Sequence, residues 1–263
     1  MTAAMARQKK QFAACPAEKR ISEPQPRKAR VPSRSVAARS RCRAPRRVQG
    51  GVPSTDLILS ARVGSNAVVF ADLLRLHVPK GSLVADVTYG KGAFWRDIPA
   101  DDYRLAASDL QTGTDCTRLP YPDNTIDALV LDPPYMEGHF RPTTTQLAGT
   151  GTHRSFRSRY SHSEATHDGP KYHEAVLDLY HRAGAEAHRV LRPRGTFIVK
   201  CQDEVSAGRQ RLTHIELVNH YADQFSAKDI FVVIRAQRPG VSRIRRQLHA
   251  RKNHSYFLVF IAR

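Results

Sequence analysis

The sequence predicts an α/β fold: a mostly parallel sheet with helices on both faces and an antiparallel last strand. Two observations support this prediction. Helical and strand patterns alternate from about residue 54 onward, and the last two strand patterns have no long helix between them. A chain of 263 residues is long enough for one such domain and an appendage, and too short for two large domains.

The first half of the domain is predicted to hold one helix and three strands. Residues 66–77 place apolar side chains at helical spacing, and Pro79-Lys80-Gly81 then ends the helix. Short apolar strands follow at 83–87, 103–108 and 128–131. The first leads into a glycine-rich turn, and the third leads into two consecutive prolines.

The second half is predicted to alternate two helices with three strands. The helices span 171–191, closed by an Arg-Pro-Arg-Gly segment at 192–195, and 212–225. The strands are predicted at 196–200, 230–234 and 256–261. Because no long helix separates the last two strands, we expect them to be antiparallel at the edge of the sheet.

Positive charge is concentrated at the start of the chain. The net charge is +18; residues 1–50 carry 14 Lys and Arg against two acidic residues, which leaves only +6 for the rest. Residues 1–52 therefore form a predicted disordered basic tail, and residues 53–263 the folded domain. The tail has three interpretations: a nucleic-acid-binding arm, an organelle transit peptide, or an extension from a start codon placed too far upstream.

The four cysteines lie far apart and form no CxxC pair, which argues against a zinc site or a disulfide framework. No apolar run reaches the length of a membrane span, and the first residues lack a secretory signal. We therefore expect a soluble cytoplasmic protein without a structural metal.

A glycine-rich turn follows the first predicted strand. Asp86 ends that strand, and Gly90 and Gly92 allow the backbone to approach a bulky ligand. Asp109, at the end of the next strand, occupies a position from which a carboxylate can accept hydrogen bonds from a ribose; Asp115, with Cys116 after it, could contact an adenine. A turn with glycines for steric reasons, and acids in ordinary loops, remain alternatives.

The strongest motif is Asp132-Pro133-Pro134-Tyr135, directly after an apolar strand. Proline has no N–H to donate to a sheet, so two prolines force a rigid turn at the end of the strand. A carboxylate and a turn carbonyl can accept hydrogen bonds from an amino group, and an aromatic ring can stack on a base. The motif thus predicts a site for an exocyclic amine.

Together, the two turns resemble those of the amino-group DNA methyltransferases, over roughly residues 57–262. Asp86, Gly90 and Gly92 match that family's Asp-x-x-x-Gly-x-Gly turn, and residues 132–135 match its catalytic turn in full. The resemblance implies a Rossmann-like class I methyltransferase fold with seven strands and S-adenosyl-L-methionine as cofactor. The residues expected to bind the cofactor are Asp86, Thr88, Tyr89, Gly90, Gly92, Asp109, Asp115 and Cys116.

The resemblance also implies a mechanism. Asp132 and the Pro133 carbonyl would accept hydrogen bonds from the target amino group, and Tyr135 would stack on the extruded base, with Pro134 completing the catalytic turn. Val87-Thr88 departs from the family's usual Pro-Phe, and the sequence contains no separate target-recognition segment. Nothing in this mechanism requires a metal.

Two basic segments are candidates for holding nucleic acid. Residues 136–170, rich in His and Arg, favour a lid that contacts the substrate, and the alternative is an ordinary polar loop. Residues 243–254 could neutralise phosphates or form a solvated hairpin. After the predicted strand at 196–200, Lys200 or Asp203 could reach the site or serve folding, and Cys201 is expected to pack rather than react.

The leading hypothesis is a methyltransferase acting on a DNA base, with N6 of adenine favoured over N4 of cytosine. An RNA base methyltransferase of the same fold is the first alternative. The second is a non-catalytic nucleic-acid-binding protein, against which the intact catalytic turn argues. A methyltransferase for small molecules or proteins leaves the basic loops unexplained.

Overall fold

A seven-stranded sheet forms the centre of the protein, whose computed structural model describes residues 56–135, 172–236 and 246–263. Its strands are β1 (Ala61–Val63), β2 (Leu83–Asp86), β3 (Arg104–Ala107), β4 (Ile126–Leu131), β5 (Leu191–Cys201), β8 (Phe225–Ile234) and β9 (His254–Ala262). A separate hairpin is formed by β6 (Glu204–Ser206) and β7 (Arg209–Arg211). The described residues all belong to one unit, residues 54–263.

The order of the strands in the sheet is β1-β8-β9-β5-β4-β2-β3. All neighbouring pairs are parallel except the two that involve β9, which runs antiparallel to both β5 and β8. The predicted α/β fold with an antiparallel last strand is therefore confirmed. The antiparallel strand lies inside the sheet rather than at its edge.

Among the described residues, three helices pack on the two faces of this sheet. Helix α1 (Asn66–His77) is preceded by Ser65, whose hydroxyl oxygen accepts a hydrogen bond from the Val68 N–H. It covers one face with Phe70 and Leu73, while α2 (His173–Val190) and α3 (Thr213–His220) cover the other. Each face has its own core of buried side chains, so the sheet is shielded on both sides as predicted.

Several boundaries differ from the sequence prediction. Strand β1 was not predicted, because its three residues are all exposed and give no apolar pattern. The segment 192–195 belongs to β5 as a bulge, because the pairing with β4 moves from Leu191 directly to Thr196. The helix predicted at 212–225 ends at His220 and continues as a short 3-10 helix before β8 begins.

The predicted basic tail, the loop at 136–170 and residues 243–245 lie outside the described residues. Within the described ranges, no helix combines the length and the apolar character needed to cross a membrane. The same ranges hold no group of three or more His, Cys, Asp or Glu side chains arranged to bind a metal ion.

Candidate active site

The two turns identified in the sequence meet at one edge of the sheet. Strands β3, β2, β4 and β5 are parallel neighbours, so their carboxyl ends share an edge, where ligands of open α/β sheets bind. Asp86 is the last residue of β2, Asp109 follows β3 by two residues, and Asp132 follows β4 directly. The structure thus brings the predicted cofactor turn and the predicted catalytic turn together.

Both glycines of the cofactor turn have left-handed backbone conformations. The φ angles are 55° at Gly90 and 65° at Gly92, a region that favours glycine. A Cβ atom added at Gly92 would lie 2.4 Å from the hydroxyl oxygen of Tyr89. The Tyr89 N–H in turn donates to the Ser108 carbonyl, 3.0 Å away, which ties the turn to the end of β3. A side chain at position 92 would therefore strain the backbone and displace the ring of Tyr89.

Asp86 supports the turn from inside the protein. Its side chain is buried and accepts hydrogen bonds from Trp95 Nε1 at 2.7 Å and from the Thr88 N–H at 3.1 Å. Burial, its largest influence, raises the pKa of Asp86 to about 7. Trp95, a site residue that sequence reasoning missed, is the chain's single tryptophan. Asp86 therefore holds the start of the glycine-rich turn against Trp95.

Asp109 is held in place by two backbone N–H groups. Its Oδ2 accepts from Gly90 at 3.1 Å and its Oδ1 from Thr112 at 3.0 Å, while Thr112 Oγ1 accepts from the Asp109 N–H. This reciprocal capping fixes the rotamer of the carboxylate. Each carboxylate oxygen keeps further lone pairs for a ligand that donates hydrogen bonds, such as a ribose diol.

Asp115 and Cys116 follow in the loop before β4. Asp115 is buried, and its Oδ1 accepts from both the N–H and the hydroxyl of Thr117 at 2.8 Å. The Cys116 side chain packs into the core beneath α2, and burial raises the pKa of its thiol to about 12. Cys116 is therefore a neutral packing residue.

The catalytic turn is linked directly to the cofactor turn. The Asp132 N–H donates to Thr88 Oγ1 at 2.6 Å, and the Tyr135 hydroxyl donates to Asp132 Oδ1 at 2.5 Å. Burial raises the pKa of Asp132 to about 6 and that of Tyr135 well above 10, so Tyr135 stays a neutral donor. No described residue donates to Asp132 Oδ2 or to the Pro133 carbonyl. Asp132 Oδ2 and the Pro133 carbonyl are thus two acceptors without a donor among the described residues.

A second polar cluster lies at the end of β5. Asp203 is buried, with its Oδ1 2.7 Å from His214 Nδ1, and it accepts from the Tyr256 hydroxyl at 3.3 Å. The rings of His214 and Tyr256 are stacked with centroids 4.3 Å apart. Sequence reasoning named Asp203 but missed its two partners, because they approach from α3 and β9 and share no local motif.

Lys200 and Cys201, in the last part of β5, are both fully buried. Burial raises the pKa of the Cys201 thiol, which agrees with its expected role in packing. The Lys200 ammonium group donates to Ser255 Oγ at 2.8 Å. Beyond the end of β8, the positive charge of Arg235 also acts on Asp132.

No protein-family model matches the chain, and no curated protein matches it in sequence. Solved structures do match. TrmN from Thermus thermophilus is 16% identical over 74% of this chain and 48% of its own, with a TM-score of 0.43. Burkholderia thailandensis 1,6-didemethyltoxoflavin-N1-methyltransferase, with bound S-adenosylhomocysteine, is 15% identical, with a TM-score of 0.43. That match covers 75% of this chain and 78% of the Burkholderia chain.

The PvuII DNA methyltransferase, described as cytosine-N4-specific, is a further match. It is 13% identical over 56% of this chain and 47% of its own, with a TM-score of 0.37. The chain thus spans about half the length of TrmN and of the PvuII enzyme.

Proposed function

We propose that this protein is an S-adenosyl-L-methionine-dependent methyltransferase that acts on an exocyclic amino group of a DNA base, with N6 of adenine favoured over N4 of cytosine. The observation that carries the proposal is the pair of acceptors on the catalytic turn, Asp132 Oδ2 and the Pro133 carbonyl. An exocyclic amino group has two hydrogens to donate, and the two acceptors match them in number and polarity.

The edge beside this turn suits the proposed cofactor in its chemistry. Gly90 and Gly92 leave backbone where a side chain would obstruct a ligand. Asp109 offers oriented acceptors for the ribose hydroxyls of the cofactor, and Asp115, in the following loop, would contact its adenine. The carboxylates along this edge also favour a cation. When bound, the cofactor supplies an electrophilic methyl group on a positively charged sulfur.

The residues of the catalytic turn then act on the target. Asp132 and the Pro133 carbonyl accept hydrogen bonds from the amino group and turn the nitrogen lone pair out of conjugation with the ring. Thr88 fixes the position of Asp132, and Tyr135 holds one of its oxygens. Asp132 is also the group placed to take up the proton that the nitrogen loses. Positioning of this kind supplies much of the rate enhancement when two reactants must be aligned.

The charge of the chain favours nucleic acid as the substrate. A net charge of +18 attracts a polyanion, and Arg246 and Arg251 are exposed in the described part of the second basic segment. A base in a duplex must be extruded to reach a turn at a sheet edge, at a cost of a few kcal/mol that falls in a single strand. We therefore expect single-stranded or mismatched DNA to react faster than a perfect duplex.

The test is incubation of the purified protein with isotopically labelled S-adenosylmethionine and either DNA or RNA, followed by mass spectrometry of the nucleosides. Label in N6-methyladenine or N4-methylcytosine from DNA supports the proposal and names the base. Label in RNA alone would contradict DNA as the substrate and support the alternative, an RNA base methyltransferase. Asp132→Ala should lose at least about 100-fold in turnover. Asp123→Ala, an exposed carboxylate before the start of β4, is the matched control.

No transfer to either nucleic acid, with cofactor still bound, would contradict the proposed substrate class. Retained activity in Asp132→Ala would contradict the role of the catalytic turn.

A further inference from the structure

Lys200 is a buried cation that the methyl-transfer chemistry described above does not use. It is fully inaccessible to solvent, with its Nζ 2.8 Å from Ser255 Oγ and 3.9 Å from the centroid of the Phe257 ring. Within the described ranges, no carboxylate oxygen lies within 4.0 Å of it. Burying an ammonium group is costly without a paired charge, and a methionine of similar length would fill the space. Packing alone does not explain a lysine here.

The location of Lys200 relates it to Asp132. Strands β4 and β5 are parallel, and Leu131 pairs with Val199. Asp132 and Lys200, one residue further along each segment, therefore lie next to each other. Lys200 points to the face of the sheet that carries Phe257, in the core packed against α1. Each charge is stabilised electrostatically by the other.

Four charged groups act at this end of the sheet, each from a different element. Asp86 ends β2 and Asp132 follows β4, while Lys200 lies in β5 and Arg235 follows β8. The hydroxyl of Tyr135 donates to Asp132, while the thiol of Cys201 lies in the core on the opposite face of the sheet; burial keeps both neutral. Burial raises the pKa of Asp132 to about 6 and lowers that of Lys200 to about 7. The attraction between the two charges acts in the opposite direction on each pKa.

We propose that Lys200 is a positioning residue whose buried ammonium group keeps Asp132 in its ionised, hydrogen-bond-accepting form when a target base covers the catalytic turn. The inference rests on the proposed function. A base that docks on the turn removes water from Asp132, which favours protonation. A protonated Asp132 would donate a proton toward the amino group instead of accepting one. A fixed cation in the adjacent strand opposes that change without occupying the substrate's space.

The test is Lys200→Met, with turnover measured from pH 5.5 to 8.5 and thermal unfolding measured alongside. Loss of a cation beside a carboxylate should move the acid limb of kcat upward by about one pH unit. Turnover at pH 6 should then fall several-fold and recover at pH 8.5, with KM for the cofactor unchanged. The melting temperature should hold or rise, because a costly buried charge has been removed. Lys200→Arg, which keeps the charge, should keep the acid limb nearer its wild-type position.

Lys80→Met is the matched control, since Lys80 is an exposed lysine paired with Asp102 beyond the end of α1. It should leave the pH profile unchanged. A lower melting temperature in Lys200→Met with an unmoved acid limb would show a purely structural lysine and overturn the inference. A uniform loss of turnover at all pH values would overturn it as well.

A direct titration separates this inference from the proposed function. The pKa of Asp132 can be followed by carbon-13 NMR of the labelled carboxyl group in the free protein, with Asp132→Asn to assign the signal. A higher Asp132 pKa in Lys200→Met supports the coupling even where no nucleic acid is methylated. An unchanged pKa overturns it even where methyl transfer is confirmed.

Discussion

The side chain of Thr88 accepts a hydrogen bond from the backbone N–H of Asp132 at 2.6 Å. This single contact joins the turn after β2 to the turn after β4, which are 44 residues apart in sequence. Thr88 is itself held by Asp86, whose Oδ1 accepts from the Thr88 N–H. Two consecutive hydrogen bonds, through Thr88, therefore link Asp86 to the backbone of Asp132.

Thr88→Val tests this link. Valine keeps the shape of the side chain and removes the acceptor, which leaves the part-buried Asp132 N–H unpaired at a cost of about 1–3 kcal/mol. Displacement of Asp132 should lower kcat roughly 10- to 100-fold and change cofactor affinity far less. Calorimetric cofactor titration and single-turnover assays separate the two effects. Thr88→Ser, which keeps the hydroxyl, should retain most of the turnover; equal losses in both variants would contradict the link.

The sequence predicted the parts of this site that local chemistry determines. Consecutive prolines cannot continue a hydrogen-bonded central strand, and β4 ends directly before Asp132. Gly90 and Gly92 have the left-handed backbone conformations that favour glycine. The fold class followed from alternating patterns, and α1 begins and ends at the predicted residues. Because those features depend on a few adjacent residues, they can be predicted from one sequence.

The parts that were missed depend on distant residues. The Trp95 bond to Asp86, the His214 stack on Tyr256 and the burial of Lys200 each join separate elements of the fold. Strand β1 gave no apolar pattern, since it is exposed and exists only through pairing with β8. A signal was available for Lys200 alone: a lysine inside an otherwise apolar strand pattern is unusual unless it has a role.

Gly92→Ala should disable the cofactor turn. The residue has a φ of 65°, which costs an alanine roughly 1–2 kcal/mol, and the added Cβ would press on the ring of Tyr89. We expect lower stability together with cofactor affinity reduced by at least an order of magnitude. Gly81→Ala provides the matched control, because Gly81 has a φ of 80° but no atom within 4 Å of the added Cβ. It should lose stability but not affinity; similar affinity losses in both would contradict the prediction.

Asp109→Ala should weaken cofactor binding more than it slows the chemical step. The substitution removes the acceptors proposed for the ribose and the partner of the Gly90 N–H. Hydrogen bonds to a charged group contribute about 1.5–3 kcal/mol, which corresponds to a roughly 10- to 150-fold higher dissociation constant. Calorimetry gives the constant, and kcat at saturating cofactor should stay within a few-fold of wild type. A large fall in kcat at saturation would instead place Asp109 in the catalytic step.

The pH dependence of turnover should report Asp132. Its pKa is raised from 3.8 to about 6, so turnover should fall about tenfold per pH unit below 6, as the carboxylate loses its capacity to accept. The sign for stability is opposite. A raised carboxyl pKa favours the protonated folded state, a contribution that is fully present below pH 3.8 and lost as the pH rises through about 6. Titration of Asp132 therefore does not unfold the protein as the pH falls from 7 to 5.

The buried Asp86 titrates nearby, with a pKa of about 7, and must be distinguished from Asp132. Because Asp86 shapes the cofactor turn, its protonation should appear in the dissociation constant of the cofactor. Protonation of Asp132 should appear in kcat at saturating cofactor. Calorimetry and saturating-rate assays over pH 5–8 resolve the two groups, and circular dichroism checks that the fold persists. An acid limb of kcat near pH 4 would mean that Asp132 is not desolvated in the working site.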